Sequence, residues 1–431
     1  MLPSLIAFAV MLLLTFMRLP IAYSMAIVGV GGFAIMFGFD PAMALVGQIA
    51  RDTAQSYALS VVPLFILMGN LVSRAGLSQE LYGASNAFLG HRRGGLAMAT
   101  IVACGGFSSI CGSSLATAAT MSKVAMPSMR RYGYADSLAA GSIAAGGTLG
   151  ILIPPSVVFV IYGLMTETSI SKLFAAGILP GMVGILFYLL AVQMVIRLKP
   201  DLGPPAARTD WPGRWKALSG VSGVLTLFIV VIGGIYAGIF TPTEAAGVGA
   251  FGGFLFALGR RALTWRTAFE TFAETASTTT MLFVVLIGAL LFANFVNAAG
   301  LPTAMIEMVK SMSLSPISVI LVILLIYIIL GCVFESMSMI ILTVPVFVPV
   351  VEALHFDLIW FGVVVVVVTE ISLITPPVGM NVFVLRGLLP DVPTGRIFAG
   401  VTPFICADIV RLAVIVFIPW LSLILPSFVG S

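Results

Sequence analysis

The chain repeats its own punctuation. Ile153-Pro154-Pro155 returns 222 residues later as Thr375-Pro376-Pro377, and Pro127 and Pro20 return at the same offset as Pro349 and Pro242. Asn70, followed by Ala75-Gly76-Leu77, returns as Asn294 and Ala299-Gly300-Leu301, shifted by 224. Pro180 returns as Pro403, shifted by 223. Proline and glycine fix where helices start, stop and bend. A shared spacing of such breakers therefore predicts two diverged copies of one helical plan.

Composition says where that plan folds. Of 431 residues, 60% are hydrophobic and 9% charged, with a mean hydropathy of +1.15. A soluble domain carries about a quarter charged residues, so most of this chain is expected in lipid. A net charge of +4 is too small to suggest a nucleic-acid partner. The opening Met1-Leu2-Pro3-Ser4-Leu5 has no basic stretch before its apolar run, which reads as a retained first span rather than a signal peptide. Cys104, Cys111, Cys332 and Cys406 all lie in apolar segments without metal-ligand spacing, as small core residues do.

Apolar runs near 3–17, 20–38, 57–73, 135–164 and 172–197 are candidate spans of the first half. A polar, proline-rich linker over 199–216 follows, and the second half offers 217–236, 242–259, 277–297, 357–387 and 401–426. Two stretches, 95–128 and 316–351, are too long for one span and carry small residues near their middles. Each reads as a re-entrant helical hairpin. Five spans and one hairpin per half is an odd number of crossings, so the second half must sit inverted. The expectation is an all-α polytopic membrane protein, an inverted repeat of two five-span halves, 1–198 and 217–431, joined by a cytoplasmic linker over 199–216.

Charge placement fixes the expected orientation. With both termini on the periplasmic side, sixteen Lys and Arg fall on the inner side, Arg92, Arg93, Arg130, Arg131, Arg260 and Arg261 among them. Only Arg51, Lys172 and Lys310 fall outside, while Lys123 and Arg411 lie within membrane segments. This follows the positive-inside rule. It makes the first hairpin enter from the cytoplasm and the second from the periplasm. Trp211, Trp215 and Trp265 mark the inner boundary and Trp360 and Trp420 the outer one. Thr241-Pro242-Thr243-Glu244 predicts a helix start with a capping box, which makes Glu244 structural.

Two spans read as broken. Ala144-Ala145-Gly146-Gly147-Thr148-Leu149-Gly150 runs into Ile153-Pro154-Pro155-Ser156 within 135–164, and Ser372-Leu373-Ile374-Thr375 runs into Pro376-Pro377-Val378-Gly379 within 357–387. A double proline removes two backbone donors and disfavours helix in the residue before it. Unwound backbone at membrane depth survives only inside protein or beside a water-filled cavity. Bare carbonyls at one half-helix end suit a cation, and bare N–H groups at the other suit a carboxylate. The hairpin tips, Gly105 to Ser114 and Gly331 to Ser338, add small and hydroxyl-bearing residues that serve either close packing or ligand binding.

Intramembrane acids are Glu335, Glu370 and Asp408. A carboxylate in lipid needs a partner, an ion or water. Glu335 supports an ion site or faces the outer vestibule. Glu370 precedes the second break, and its counterpart by the repeat is Thr148, so any charge role is not shared by both halves. Asp408 and Arg411, three apart on one helix, are expected to pair. No HExxH, Gly-x-Ser-x-Gly or P-loop appears, and His91 and His355 sit beside predicted loops. An enzyme is therefore not expected, and no cofactor beyond a coupling ion.

Several separated motifs now point one way. Gly112-Ser113-Ser114-Leu115-Ala116-Thr117 through Pro127-Ser128-Met129 and Gly133-Tyr134, then Ile153-Pro154-Pro155-Ser156, resemble the large membrane subunit of TRAP (tripartite ATP-independent periplasmic) transporters. Thr241-Pro242-Thr243-Glu244-Ala245, Glu335-Ser336-Met337-Ser338-Met339 and Thr375-Pro376-Pro377-Val378-Gly379 fit the same family, so the resemblance covers essentially the whole chain. It implies a bacterial inner-membrane transporter of elevator type that imports a small organic acid, such as a C4-dicarboxylate, with Na⁺. It also implies a periplasmic solute-binding protein and a small four-helix membrane subunit, expected here as a separate chain. By motif, the resemblance puts one Na⁺ site at Ser108, Ser109, Gly112, Gly150, Ile153 and Pro155. The other falls at Gly331, Glu335, Ser336, Ser372, Thr375 and Gly379. Ser113, Ser114, Thr117, Ser156, Ser338 and Asn381 are the candidate substrate contacts. The alternatives are a stand-alone sodium–dicarboxylate symporter and, from another class, an ion channel.

Overall fold

A computed structural model describes residues 2–311, 315–332 and 334–429, and all regular structure among them is helical. The first half opens with α1 (Leu2–Phe16) and α2 (Ile21–Phe37), followed by α3 (Phe39–Gln55), α4 (Val61–Arg74) and α5 (Leu77–Leu89). Next come α6 (Gly95–Cys111) and α7 (Ser114–Arg131), α8 (Asp136–Thr148) and α9 (Val157–Met165), then the 29-residue α10 (Ile170–Leu198). The second half contains α11 (Trp211–Tyr236), α12 (Pro242–Gly259), α13 (Trp265–Ala298) and α14 (Leu301–Ser311). It continues through α15 (Pro316–Gly331), α16 (Ser336–Ala353), α17 (Leu358–Ser372) and α18 (Met380–Leu388), and closes with α19 (Thr394–Phe417) and α20 (Trp420–Leu423).

By length and apolarity α10, α11, α13, α16 and α19 can each cross a bilayer, and α3 joined to α4 passes the same test as a pair bent by 59°. The stretch 95–128 is two helices, α6 and α7, meeting at Gly112-Ser113, and 316–351 is likewise α15 and α16. Val333, in the second tip, lies outside the described residues. Residues 135–164 and 357–387 are interrupted over 149–156 and 373–379. Pro154–Pro155 and Pro376–Pro377 are cis in the two interruptions.

Three helices and three boundaries differ from the sequence reading. Helices α3, α5 and α14 fall where no span was expected. In α3 only Ala42, Ile49 and Thr53 are buried, so its apolar signal is a narrow stripe that a span-length window averages away. The linker ends at 210, because Asp210 accepts the Gly213 N–H at 3.0 Å and starts α11 at Trp211. The linker is also stitched to the hairpin base: Gly94 N–H donates to Gly203 O, Ala135 N–H to Leu202 O and Ala206 N–H to Gly90 O, at 2.8–3.0 Å. Helix α13 begins twelve residues before 277, where Thr264 and Thr267 form its capping box. The run 401–426 is divided, because Pro419 follows the end of α19 and α20 starts beyond it. The expected capping box of Thr241 and Glu244 is present.

The two halves interleave. Helix α2 packs on α13, α4 on α12 and α8 on α19, each pairing a first-half helix with a second-half one. Small residues allow this closeness. A Cβ on Gly141 would lie 2.3 Å from Gly400 O, and one on Gly400 would lie 1.9 Å from Ser137 O. At the α2–α13 crossing a Cβ on Gly288 would meet Ala22 O at 2.3 Å. One buried apolar cluster runs through α1, α2, α4, α9, α13 and α15–α17, and a second fills the space between α6, α7, α8, α10, α18 and α19.

Candidate functional site

Each hairpin tip sits on the break of its own half. At the first, Gly112 closes α6 with φ +62, its N–H donating to Ser108 O at 2.9 Å. Only a residue tolerant of the left-handed region turns the chain so tightly here. Ser113 then caps α7, accepting from Ala116 N–H. A Cβ on Gly150 would lie 3.3 Å from Ser113 O and 3.4 Å from Ser108 Oγ, and one on Gly112 would lie 3.8 Å from Pro155 O. Ser108, Gly112, Ser113, Gly150 and Pro155 therefore converge. Ser109 and Ile153 turn elsewhere. Ser109 donates to Gly106 O at 2.7 Å, and both residues line an apolar cavity of about 370 Å³ behind the tip.

The second tip repeats the arrangement. A Cβ on Gly331 would lie 2.0 Å from Ser372 Oγ, so α15 can end against the second break only with glycine there. Cys332 Sγ lies 3.5 Å from Pro376 O, and a Cβ on Gly379 (φ +61) would lie 3.3 Å from Thr375 O. The hydroxyls of Ser372 and Thr375 donate back to Thr369 O and Ile371 O, leaving their lone pairs available. Glu335 is the N-cap of α16: its carboxylate accepts from Met337 and Ser338 N–H groups at 3.0 and 3.3 Å. One residue thus caps a helix and lines the cavity between the tips.

That cavity, about 180 Å³, is lined on one side by Gly112, Ser113 and Ser114 of the first tip, Glu335 and Ser336 of the second, and Val157 at the start of α9. Asn70 of α4 and Glu274 and Thr278 of α13 form the facing wall. No Lys, Arg or His is among the described residues that line it. The N-termini of α7, α9 and α16 reach its edge; Ser113, Ser156 and Glu335 each cap one or two N–H groups there, and the positive helix ends that remain favour negative charge.

Of the six candidate substrate contacts, Ser113 and Ser114 line the cavity. Thr117 lies one turn deeper, fully buried, its hydroxyl without a partner. Ser156 is spent as the cap of α9, donating to Ile151 O and accepting from Phe159 N–H. Ser338 is buried behind Glu335. Asn381 donates to Ala144 O at 3.0 Å, tying α18 to α8 across the two halves. Glu274 was missed because it lies before the expected start of its span at 277, and Thr278, inside that span, was not singled out. Asn70 was read only as a repeat marker, and its amide donates to Thr275 Oγ at 3.0 Å. Asp408 and Arg411 pair at 3.0 Å as expected, but Arg411 also pairs with Glu370, and Tyr188 donates to Asp408 at 2.6 Å.

Broken helices and paired tips around a shared polar cavity, in a multi-pass helical membrane protein, are the architecture of a secondary transporter. Comparison with known proteins makes the class specific. The family model described as tripartite ATP-independent periplasmic transporter, DctM component, matches residues 8–421, and the chain belongs to that family of large permease subunits, which are not enzymes. It is 37% identical to the C4-dicarboxylate TRAP transporter large permease protein DctM of Pseudomonas aeruginosa, covering 88% of each chain. It is 31% identical to the sialic acid TRAP transporter large permease protein SiaM of Vibrio cholerae, covering 97% of each. It is 32% identical to the isethionate TRAP transporter permease protein DctMQ of Oleidesulfovibrio alaskensis, covering 87% of this chain and 59% of that one. Among solved structures, the Alcanivorax borkumensis YdaH transporter shares the fold at TM-score 0.63 and 15% identity, over 97% of this chain and 98% of that one.

Proposed function

We propose that this permease subunit imports a small carboxylate, of C4-dicarboxylate type, with Na⁺ across the bacterial inner membrane. One observation carries the reading: two tips, each seated on its own broken helix, enclose a cavity whose described lining bears acids and no cation. A carboxylate entering such a cavity needs positive charge from elsewhere. Helix N-termini supply part of it, and bound Na⁺ supplies the rest. Ion binding and substrate binding are then linked electrostatically, which is what symport requires.

The Na⁺ sites follow from the same arrangement. In the first, Ser108, Gly112, Gly150 and Pro155 present hydroxyl and carbonyl oxygens, with Ser109 and Ile153 contributing only backbone. In the second, Gly331, Ser372, Thr375 and Gly379 do so, with Glu335 and Ser336 at the cavity edge. Unwound carbonyls and half-helix C-termini coordinate cations in transporters of this plan. Ser113 and Ser114 meet the substrate directly. Thr117, Ser156, Ser338 and Asn381 support the site from behind it.

The two halves are inverted copies, and the matching tip-and-break pairs support this. The cavity wall divides between tips on one side and α4 with α13 on the other, which supports an elevator-like movement of the hairpin domain against the rest. A periplasmic binding protein delivers the substrate, and a small four-helix membrane subunit completes the pair. The names of the relatives support both assignments. The experiment is uptake of labelled dicarboxylate into proteoliposomes holding the three components. An imposed Na⁺ gradient drives uptake and a K⁺ gradient does not, and Ser114→Ala inserts normally but loses most of the rate. Uptake without the binding protein identifies a stand-alone symporter instead, and gradient-independent flux identifies a channel.

A further inference from the structure

The region between the two breaks is not purely apolar. Thr148 ends α8 at the first break, and Glu370 sits in the last turn of α17, two residues before Ser372. A continuous line of polar groups joins them. The Thr148 hydroxyl lies 3.1 Å from that of Tyr188, which donates to Asp408 at 2.6 Å. The other Asp408 oxygen is 3.0 Å from Arg411 Nη2, and the same nitrogen donates to Glu370. The five side chains come from α8, α10, α19 and α17, and all are fully buried. None of them lines the cavity between the tips.

Packing holds this line in one arrangement. The ring of Phe404 meets Tyr188 edge-on at 5.4 Å. Gly184 of α10 leaves the space that the guanidinium fills, since a Cβ there would lie 2.2 Å from Arg411 Nη1. Apolar side chains of similar volume would join four helices without the cost of burying two carboxylates and a guanidinium. A directional polar chain does something they cannot: it fixes relative position and has few alternative geometries.

Both ends of the line stand at the carbonyl ends of half-helices, where a cation would draw oxygens inward. We infer that the line from Thr148 through Tyr188, Asp408 and Arg411 to Glu370 is a coupling strut. Ion occupancy at one break shifts its half-helix end, the strut carries that shift to the other, and the two Na⁺ bind cooperatively. Tyr188, Asp408 and Arg411 are positioning residues in this account. The inference rests on the Na⁺ reading above, and cooperativity between sites is a coupling free energy that a variant of the strut should reduce.

The test is the Na⁺ dependence of uptake at saturating substrate, together with the Na⁺ dependence of the melting temperature of the purified protein. Tyr188→Phe removes one hydroxyl and keeps the ring. Gly184→Ala displaces Arg411 without altering any polar group of the strut, and serves where Tyr188→Phe does not fold. Wild type should respond cooperatively to Na⁺ in both measurements. The variants should lose that cooperativity and need about 5-fold more Na⁺ or above, with maximal rate at saturating Na⁺ retained. A lower maximal rate with unchanged Na⁺ dependence would mean a purely structural role and overturn the strut. So would cooperativity that survives in the folded variants. A wild type indifferent to Na⁺ would instead refute the transport reading itself.

Discussion

Glu335, Ser156 and Asn381 show how a polar side chain in this core carries a local duty. Glu335 and Ser156 cap α16 and α9, and Asn381 bridges to α8. Sequence could propose these residues, because polar groups inside apolar runs stand out. It could not separate capping from ligand contact, because that depends on where the neighbouring N–H groups point. Arg130, outside the apolar runs, is a case with a measurable consequence. It pairs with Asp136 at 2.8 Å and Asp391 at 2.5 Å, joining the bases of α7, α8 and the turn before α19. Asp391 is held below the usual carboxylate range by its own backbone N–H first and by Arg130 next. A depressed value means that the ionised form stabilises the fold. That contribution is present above the ordinary carboxylate range and is lost as pH falls through the depressed value. Asp391→Asn should therefore melt lower than wild type at neutral pH, with the difference closing in acid. A gap that persists after full protonation would show that charge is not what the residue contributes.

Helices were legible where breakers mark them. The double prolines located both interruptions, and glycine with serine located the tip at Gly112-Ser113. Helices with narrow apolar stripes were not legible, α3 above all, because a span-length window sees only mean hydropathy. The start of α13 was hidden because polar residues open that helix, and with it Glu274, which lines the cavity together with Thr278. Which helices would cross was also beyond sequence, since Gly141 and Gly400 lie far apart in the chain and nothing local pairs them. Their contact is backbone against backbone, so no side chain can yield. Gly400→Val should force α8 and α19 apart and cost about 1–3 kcal/mol, the usual range for overpacking. The denaturation midpoint of the detergent-solubilised protein reads this. An unchanged midpoint would mean that the crossing is looser than described.

The molecule as a whole interleaves its two halves, and the tips of both meet around one cavity. Repeated punctuation located a tip and a break in each half because proline and glycine fix where helices stop and turn. The facing wall of α4 and α13 has no such marker, and only the folded chain brings it to the tips. The proposed inversion of the two halves underlies everything assigned to the cavity, because it would set carbonyl ends and N–H ends of both broken helices toward a shared centre. Arg92 follows the end of α5 and Lys310 stands at the end of α14, corresponding places in the two halves. Single cysteines at these positions in a cysteine-free background, probed with a membrane-impermeant thiol reagent in intact and inverted vesicles, measure the orientation directly. Inversion predicts that position 92 labels only from the cytoplasmic face and position 310 only from the periplasmic face. Labelling of both from one face would contradict the inverted repeat and the ion-coupled cavity built on it.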